Sequence, residues 1–200
     1  MRPELEVIEG WVNPKAHVLD LGCGDGSLLQ HLRSAKQTTG YGLESDENNI
    51  LECVRANVNV LEQDLNKGLG NFKEQSFDVV IMTQALQEIR HPHEILRDML
   101  RIGKEGIVTF PNFGFWRNRS YLALKGRMPM SKSLPHHWYD TPNIHLCTFK
   151  DFEALCFRQG LRIVDRTVVD ANYRDSLAMR IMPNLFGSTA IYRITKEGNS

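Results

Sequence analysis

One nine-residue segment near the N-terminus constrains the fold more than any other part of the chain. Val18–Gly26 begins as an apolar run with one acid and ends in glycines at three alternating positions, Gly22, Gly24 and Gly26. Helical spacing follows in Ser27–Leu32. This order predicts a buried strand, a tight loop and a helix N-terminus, whose free N–H groups favour an anion. A ligand can reach the backbone of such a loop because glycine has no Cβ.

Strands and helices alternate along most of the chain. The predicted helices are Gly26–Ser34, Glu47–Arg55, His93–Leu100 and Asp151–Gln159. The predicted strands are His17–Leu21, Thr39–Leu43, Val58–Leu61, Phe77–Met82, Gly106–Phe110, Leu161–Val169 and Ser188–Thr195. Such alternation indicates an α/β fold that is Rossmann-like, with a mostly parallel seven-stranded sheet and helices on both faces. The last two strands are expected to be antiparallel, joined by an irregular connection over Asp170–Gly187.

Length and composition favour one ordinary domain, and we expect residues 1–200 to form it. Lys plus Arg and Asp plus Glu number 24 each, which argues against a general nucleic-acid or anionic-membrane binder. No window reaches the ~18 apolar residues of a membrane span, and from the polar character of the first residues we expect no signal region. The four cysteines form no C-x-x-C pair, so we expect a cytoplasmic protein with reduced thiols and no metal site.

A long segment, Asn112–Thr148, interrupts the alternation after the fifth strand, and we call it the insert. It is rich in aromatic residues and carries five basic residues against one acid, Asp140. Loops of this length are usually functional or disordered, and the aromatic content argues for order. A short helix is predicted near Arg117–Lys125. Basic and aromatic residues together suit an anionic small molecule or an acidic protein surface, with RNA as a minor alternative.

The spacing of the glycines distinguishes between ligands. A dinucleotide fingerprint needs its third glycine where this chain has Ser27. The pattern Asp-x-Gly-x-Gly-x-Gly instead resembles the first motif of class I S-adenosylmethionine (SAM)-dependent methyltransferases. That resemblance implies that the acid and the loop hold the methionine part of SAM, and a purely structural tight turn is the alternative. The residues concerned are Asp20, Gly22, Cys23, Gly24 and Gly26.

Further candidates for cofactor contact lie where the next strands end, because open α/β sheets bind ligands at that edge. Glu44, followed by Ser45, can accept hydrogen bonds from a ribose diol, or it is a surface acid. Asp64 can accept from an adenine amino group while the Leu65 N–H meets a ring nitrogen, or it caps a turn. Thr83 and Gln84, after the fourth strand, are a further expected contact.

Catalytic residues are not assigned by the sequence. SAM carries its own electrophile, so a base is needed only if the nucleophile must lose a proton. Each candidate also has a simpler interpretation as a surface or capping residue, and the signatures of nucleic-acid methyltransferases are absent. The candidates near the predicted cleft are Glu88, His91, His93, His136, His137 and His145.

Motifs within and around the insert resemble the MetW family of methionine-biosynthesis proteins. They are Phe110–Arg117, Gly126–Pro129, Trp138–Thr148 and Asp151–Cys156, together with Thr83–Gln87 and His91-Pro92. This resemblance runs over nearly the whole chain. It implies a cytoplasmic bacterial protein with the fold of class I SAM methyltransferases and a homoserine O-acyltransferase (acetyl- or succinyl-) as its partner.

Three functions are compatible with these features. The leading hypothesis is an accessory protein that binds SAM or S-adenosylhomocysteine and supports or regulates the acyltransferase. The alternative is an active methyltransferase for a small, anionic metabolite, with the insert as a lid. The third is a structural partner with a relic pocket. The sequence leaves open whether methyl transfer takes place.

Overall fold

A seven-stranded sheet forms the centre of the protein, whose computed structural model describes residues 3–131, 134–169, 179 and 181–198. The strands are β1 (His17–Leu21), β2 (Thr39–Glu44), β3 (Val60–Glu62), β4 (Phe77–Thr83), β5 (Gly103–Pro111), β6 (Leu161–Val169) and β7 (Thr189–Lys196). Their order in the sheet is β3-β2-β1-β4-β5-β7-β6. β7 runs antiparallel to β5 and β6, and the other pairs are parallel.

Helices cover both faces of the sheet. They are α1 (Pro3–Trp11), α2 (Ser27–Lys36), α3 (Glu47–Arg55), α4 (Pro92–Ile102), α5 (Trp116–Lys125), α6 (Phe149–Arg158) and α7 (Pro183–Phe186), with 3₁₀ turns at Leu65–Lys67 and Leu86–Glu88. Local signals set several boundaries. Thr148 and Asp151 form a reciprocal capping box at the start of α6, and Asp46 caps α3 by accepting from the Asn49 N–H. No helix in these described ranges is both long and apolar enough to span a membrane.

The core divides into two layers because successive strand residues point to opposite faces. Val18 and Ile81 pack with residues of α1, α2 and α3, whereas Leu19, Val80 and Met82 pack with residues of α4 and α6. The short apolar strands at the centre of the sheet are therefore buried on both faces, as parallel strands are.

The structure confirms the predicted fold class, including the antiparallel last pair. β1, β6 and α3 have the predicted bounds. The third strand was wrongly placed at Val58–Leu61, because the Val58 N–H bonds to the Cys53 carbonyl in the turn that follows α3. α1 was not predicted, although Ile8 is fully buried beneath the sheet.

Other predicted elements differ at their ends. The helices predicted at Gly26–Ser34, His93–Leu100 and Asp151–Gln159 are α2, α4 and α6, and Arg117–Lys125 is α5. The connection predicted as irregular over Asp170–Gly187 contains α7. Its residues 170–178 and 180 lie outside the described residues.

Strand order reverses between β1 and β4, since β2 and β3 extend the sheet to one side of β1 and β4 and β5 to the other. Such a switch point leaves a crevice at the carboxyl ends of the two central strands. Loops that leave β1, β2 and β4 therefore lie around one crevice.

Candidate cofactor site

The glycine loop after β1 is a left-handed turn fastened to the end of β2. Gly22, Gly24 and Gly26 have φ values of +70°, +55° and +76°, a region that other residues rarely adopt. The backbone N–H groups of Gly22 and Cys23 both donate to the Leu43 carbonyl, at 2.9 and 3.1 Å. The loop therefore has a defined conformation set by its own backbone and by β2.

The three glycines face different surroundings. A Cβ added to Gly22 would lie 3.1 Å from the Ala85 Cβ, and one added to Gly26 would lie 3.0 Å from the Cys53 Sγ. A Cβ on Gly24 would meet no atom of the described structure within 4 Å. Gly24 is thus the point of the loop where a bound molecule can approach the backbone.

Glu44, at the end of β2, completes this loop. Its Oε2 accepts from the Gly24 N–H at 2.8 Å, and its Oε1 accepts from the N–H groups of Ser45 and Asp46 at 2.8 and 3.0 Å. A carboxylate has about four acceptor positions. Three backbone donors therefore fix the Glu44 side chain and still leave capacity for one further donor.

Asp20 lies behind the loop on β1 and is fully buried. Neither of its carboxylate oxygens has a hydrogen-bond partner in the described structure. Burial, followed by the nearby charge of Glu44, raises the pKa of Asp20 to about 7. A buried and unpaired acid is costly, so this position favours a cationic or hydrogen-bond-donating group.

Two buried cysteines, Cys23 and Cys53, lie beneath the glycine loop, on the side of α3. The Cys53 Sγ, on α3, donates to the Gly24 carbonyl at 3.1 Å and lies 3.8 Å from the Cys23 Sγ. Burial raises the pKa of both thiols, which therefore remain protonated near neutral pH. Cys53 was not a sequence candidate, because only the tertiary fold brings α3 under the loop.

Asp64 is less closely connected to the others. It is exposed, and its Oδ1 accepts from the Asn66 backbone N–H and side-chain amide at 2.9 and 3.1 Å, so it caps the 3₁₀ turn Leu65–Lys67. The Leu65 side chain, however, lies beside Gly22. The turn therefore adjoins the glycine loop even though the Asp64 carboxylate bonds within its own turn.

The segment after β4 adopts a strained conformation beside β5. Gln84 has φ +56°, and its backbone N–H donates to the carbonyl and the Oγ1 of Thr109, at 3.0 and 3.1 Å. Thr83, the last residue of β4, pairs with Thr109 across the sheet. Neither the positive φ nor the role of Thr109 was predicted, because glutamine carries no local signal for a left-handed conformation.

The insert rests on this same segment. The N–H groups of Ile144 and His145 both donate to the Gln87 carbonyl at 3.0 Å, and the Gln87 side-chain amide donates to the Gln84 carbonyl. Burial, followed by the charge of Glu44, raises the pKa of Glu88, while His136 lowers it. The end of the insert therefore adjoins the candidate site.

Among the described residues, no hydrogen bond joins two of the six catalytic candidates, and the one carboxylate near His93 is its neighbour Glu94, at 3.7 Å. His91 precedes α4 and has its ring edge-on to that of His93, at a centroid distance of 6.1 Å. His145 Nε2 lies 3.4 Å from the Arg90 carbonyl, and the exposed His137 ring stacks on Tyr139. Within the described ranges, no group of three or more potential ligands has the arrangement of a metal site.

Comparisons with known proteins agree with this fold. Solved structures of similar fold include an S-adenosylmethionine dependent methyltransferase from Mesorhizobium loti, with TM-score 0.68, 12% identity and coverage of 96% of this chain and 97% of that one. They also include the cyclase SpnF, with TM-score 0.66, 16% identity and coverage of 97% and 81%. Identities this low show the fold alone.

A curated relative is closer in sequence. The bifunctional methionine biosynthesis protein MetXA/MetW of Rhodopirellula baltica is 32% identical over 189 residues, which cover 90% of this chain. The chain spans 30% of that relative's length. Residues 2–194 also match the family model described as methionine biosynthesis protein MetW. The chain therefore belongs to the MetW family of methionine biosynthesis proteins.

Proposed function

We propose that this protein binds SAM or S-adenosylhomocysteine and thereby supports or regulates a homoserine O-acyltransferase of methionine biosynthesis. The buried, unpaired Asp20 beside the loop held by Glu44 is the observation that carries the proposal. A general ligand pocket has no need for an uncompensated carboxylate in the core. A cationic amino-acid ligand provides the missing compensation.

The residues present fit such a ligand. SAM supplies an amino group and a sulfonium-bound methyl group when bound. In the proposal, Asp20 supplies the negative charge for the cationic part, Glu44 accepts from one hydroxyl of the ribose diol, and the open backbone of Gly24 adjoins the ligand. Leu65, beside Gly22, and the Thr83–Gln84 segment complete the binding site on its two flanks. Asp64 contributes to the adenine end by fixing the turn that carries the Leu65 N–H.

The partner in the proposal follows from the fused relative, which joins MetXA and MetW in one polypeptide. Fusion keeps the two domains at a high effective concentration, which favours contact between them. SAM is made from methionine, so its occupancy can report the output of the pathway. Bound SAM can change the activity of the acyltransferase only if it binds the active and the inactive state of the complex with different affinities. The cytoplasmic and bacterial assignments and the single domain over residues 1–200 stay predictions.

An assay of purified homoserine O-acyltransferase tests this function. Its activity is measured with increasing amounts of this protein, with and without SAM. We expect stoichiometric amounts of the protein to change the activity several-fold and SAM to alter that change. An acyltransferase that responds to no amount of the protein at any SAM concentration would exclude the accessory role.

An active methyltransferase for a small anionic metabolite is the second candidate. The insert favours it, because five basic residues outnumber one acid in its sequence and its end adjoins the candidate site through Gln87. Transfer of label from methyl-labelled SAM to a metabolite extract would support this candidate. SpnF, a cyclase of the same fold, illustrates that the fold alone does not establish methyl transfer.

A further inference from the structure

The insert contains an apolar groove that is open to solvent. Its cavity has a volume of about 180 Å³ and its walls include two methionines, a tryptophan and two aliphatic residues. These five side chains are 41–73% exposed, and they are Met128, Met130, Trp138, Ile144 and Leu146. Contiguous apolar surface of this kind is unfavourable in water and usually marks an interaction site.

Helix α5, which leads into the groove through Gly126, is also largely uncovered. Asn118 is its one buried residue, and Leu124 is 82% exposed. A helix of ten residues is marginal in water without a packed face. In its first turn, Asn118 and Arg119 donate side-chain hydrogen bonds to the carbonyls of Asn112 and Gly114. The second half of the helix, residues 121–125, is exposed. A partner that covers α5 would provide the packed face.

The charge of the insert limits which kind of partner can bind in the groove. Four basic residues on α5 or just after it, Arg117, Arg119, Lys125 and Arg127, are exposed, and the one acid of the insert is Asp140. A second copy of this chain in a two-fold contact would place this basic surface against itself, which is repulsive. A protein that presents an apolar segment within an acidic rim is complementary to it.

We propose that the groove and α5 together form the docking surface for the homoserine O-acyltransferase, through an apolar segment of that enzyme flanked by carboxylates. This inference rests on the proposed function and specifies its contact surface. Ile144 connects the two sites. Its side chain lines the groove and its N–H bonds to Gln87, in the turn that follows β4 beside the glycine loop.

A binding experiment with a matched control tests the surface. Phe157, on α6 and outside the insert, is 86% exposed, more than Trp138 at 73%. The affinity of purified acyltransferase is measured for wild type, Trp138→Ala, Leu146→Ser and Phe157→Ala. We expect Trp138→Ala and Leu146→Ser to bind about tenfold or more weakly, as buried anchors do. Phe157→Ala should bind as wild type does.

Two further measurements separate the possible outcomes. Unchanged thermal unfolding and SAM affinity in the insert variants would attribute the loss of binding to the contact surface. If the protein changes acyltransferase activity while all variants bind equally, the surface is wrong and the proposed function stands. A wild-type protein without acyltransferase affinity contradicts both proposals. A different outcome is that Trp138→Ala abolishes self-association, binding to anionic lipid vesicles or binding to RNA. Such a result, together with no binding of the acyltransferase, also overturns the proposed surface.

Discussion

The backbone N–H of Gly24 donates a 2.8 Å hydrogen bond to the Glu44 carboxylate, so the glycine loop and the end of β2 form one unit. The same carboxylate accepts from Ser45 and Asp46. The protein's own backbone makes these three bonds, so the Glu44 carboxylate is held in one orientation and is preorganised for binding. A preorganised site loses less conformational entropy when it binds.

Glu44→Gln is the most informative single change in this unit. The substitution keeps the size of the side chain but puts an amide donor where Glu44 accepts from backbone N–H groups. We expect SAM affinity to fall about tenfold or more, since a lost hydrogen bond to a charged group costs ~1.5–3 kcal/mol. Calorimetric titration with SAM measures it. Glu74→Gln, at an exposed position before β4, is the control, and equal affinities of the two variants would contradict the role of Glu44.

Gly24→Ala should separate ligand binding from folding. Its φ of +55° makes alanine strained by ~1–2 kcal/mol, yet the added methyl meets no described atom within 4 Å. We therefore expect a folded protein with strongly reduced SAM affinity. Gly126→Ala is matched, because Gly126 also has a positive φ, +61°, and open space around it. Gly126→Ala should be destabilised to a similar extent and retain SAM binding. If Gly24→Ala also retained SAM binding, this would argue against approach of the ligand to the Gly24 backbone.

Asp20 predicts an unusual pH dependence of stability. Its pKa is about 7 in the folded protein against 3.8 ordinarily, so between these values the folded state holds a proton that the unfolded state has lost. This contribution to stability is present at low pH and declines as the pH rises toward and through 7. Between pH 5 and 8 we expect Asp20 to lower the free energy of unfolding by roughly 2–3 kcal/mol.

Chemical denaturation of wild type and Asp20→Asn at pH 5 and pH 8 measures this effect. The difference between the two proteins isolates Asp20 from other groups that titrate with the same sign, such as Glu88, whose pKa is also raised by burial. Identical pH profiles would show that Asp20 ionises normally. SAM should also bind more tightly at pH 8 than at pH 5, because its cationic group favours the ionised carboxylate.

Asn112 fastens the start of the insert to the connection before β7. Its buried amide donates to the carbonyls of Asn184 and Gly187 at 3.0 and 2.8 Å, and its Oδ1 accepts from the Gly114 N–H at 2.9 Å. Asn112→Ala leaves all three partners without this side chain and should lower the free energy of unfolding by roughly 3 kcal/mol. Urea denaturation measures it. Asn71→Ala, at an exposed position, should change it by about 0.5 kcal/mol or less.

The sequence predicted the fold where apolar patterns were dense. β1 and β6 have the predicted bounds, and each carries a continuous or alternating apolar pattern that is typical of a strand. α1 was missed although its acidic first turn favours a helix, because only a few of its positions, such as Ile8, are apolar and buried. The third strand was misplaced because Val58 is buried at the end of a turn, where burial and apolar character resemble those of a strand.

The sequence predicted the positions of the candidate site residues in the fold but not their contacts, and their role in binding stays a prediction. Strand ends identify Asp20 and Glu44, because the topology brings the carboxyl ends of parallel strands together. The bond from Gly24 to Glu44, the thiol of Cys53 beneath the loop and the positive φ of Gln84 depend on tertiary packing, which leaves no local pattern. The groove in the insert was likewise not visible, since its apolar residues follow no helical or strand period.

A SAM titration of acyltransferase activity tests the central claim most directly. The activity of purified homoserine O-acyltransferase is measured with a fixed amount of wild type or Glu44→Gln while SAM is increased. The account predicts that the wild-type protein changes the activity with a midpoint near its calorimetric Kd for SAM. In Glu44→Gln this midpoint should rise by the same factor as the Kd. An activity that is indifferent to SAM with both proteins, despite measured binding, would contradict the claim.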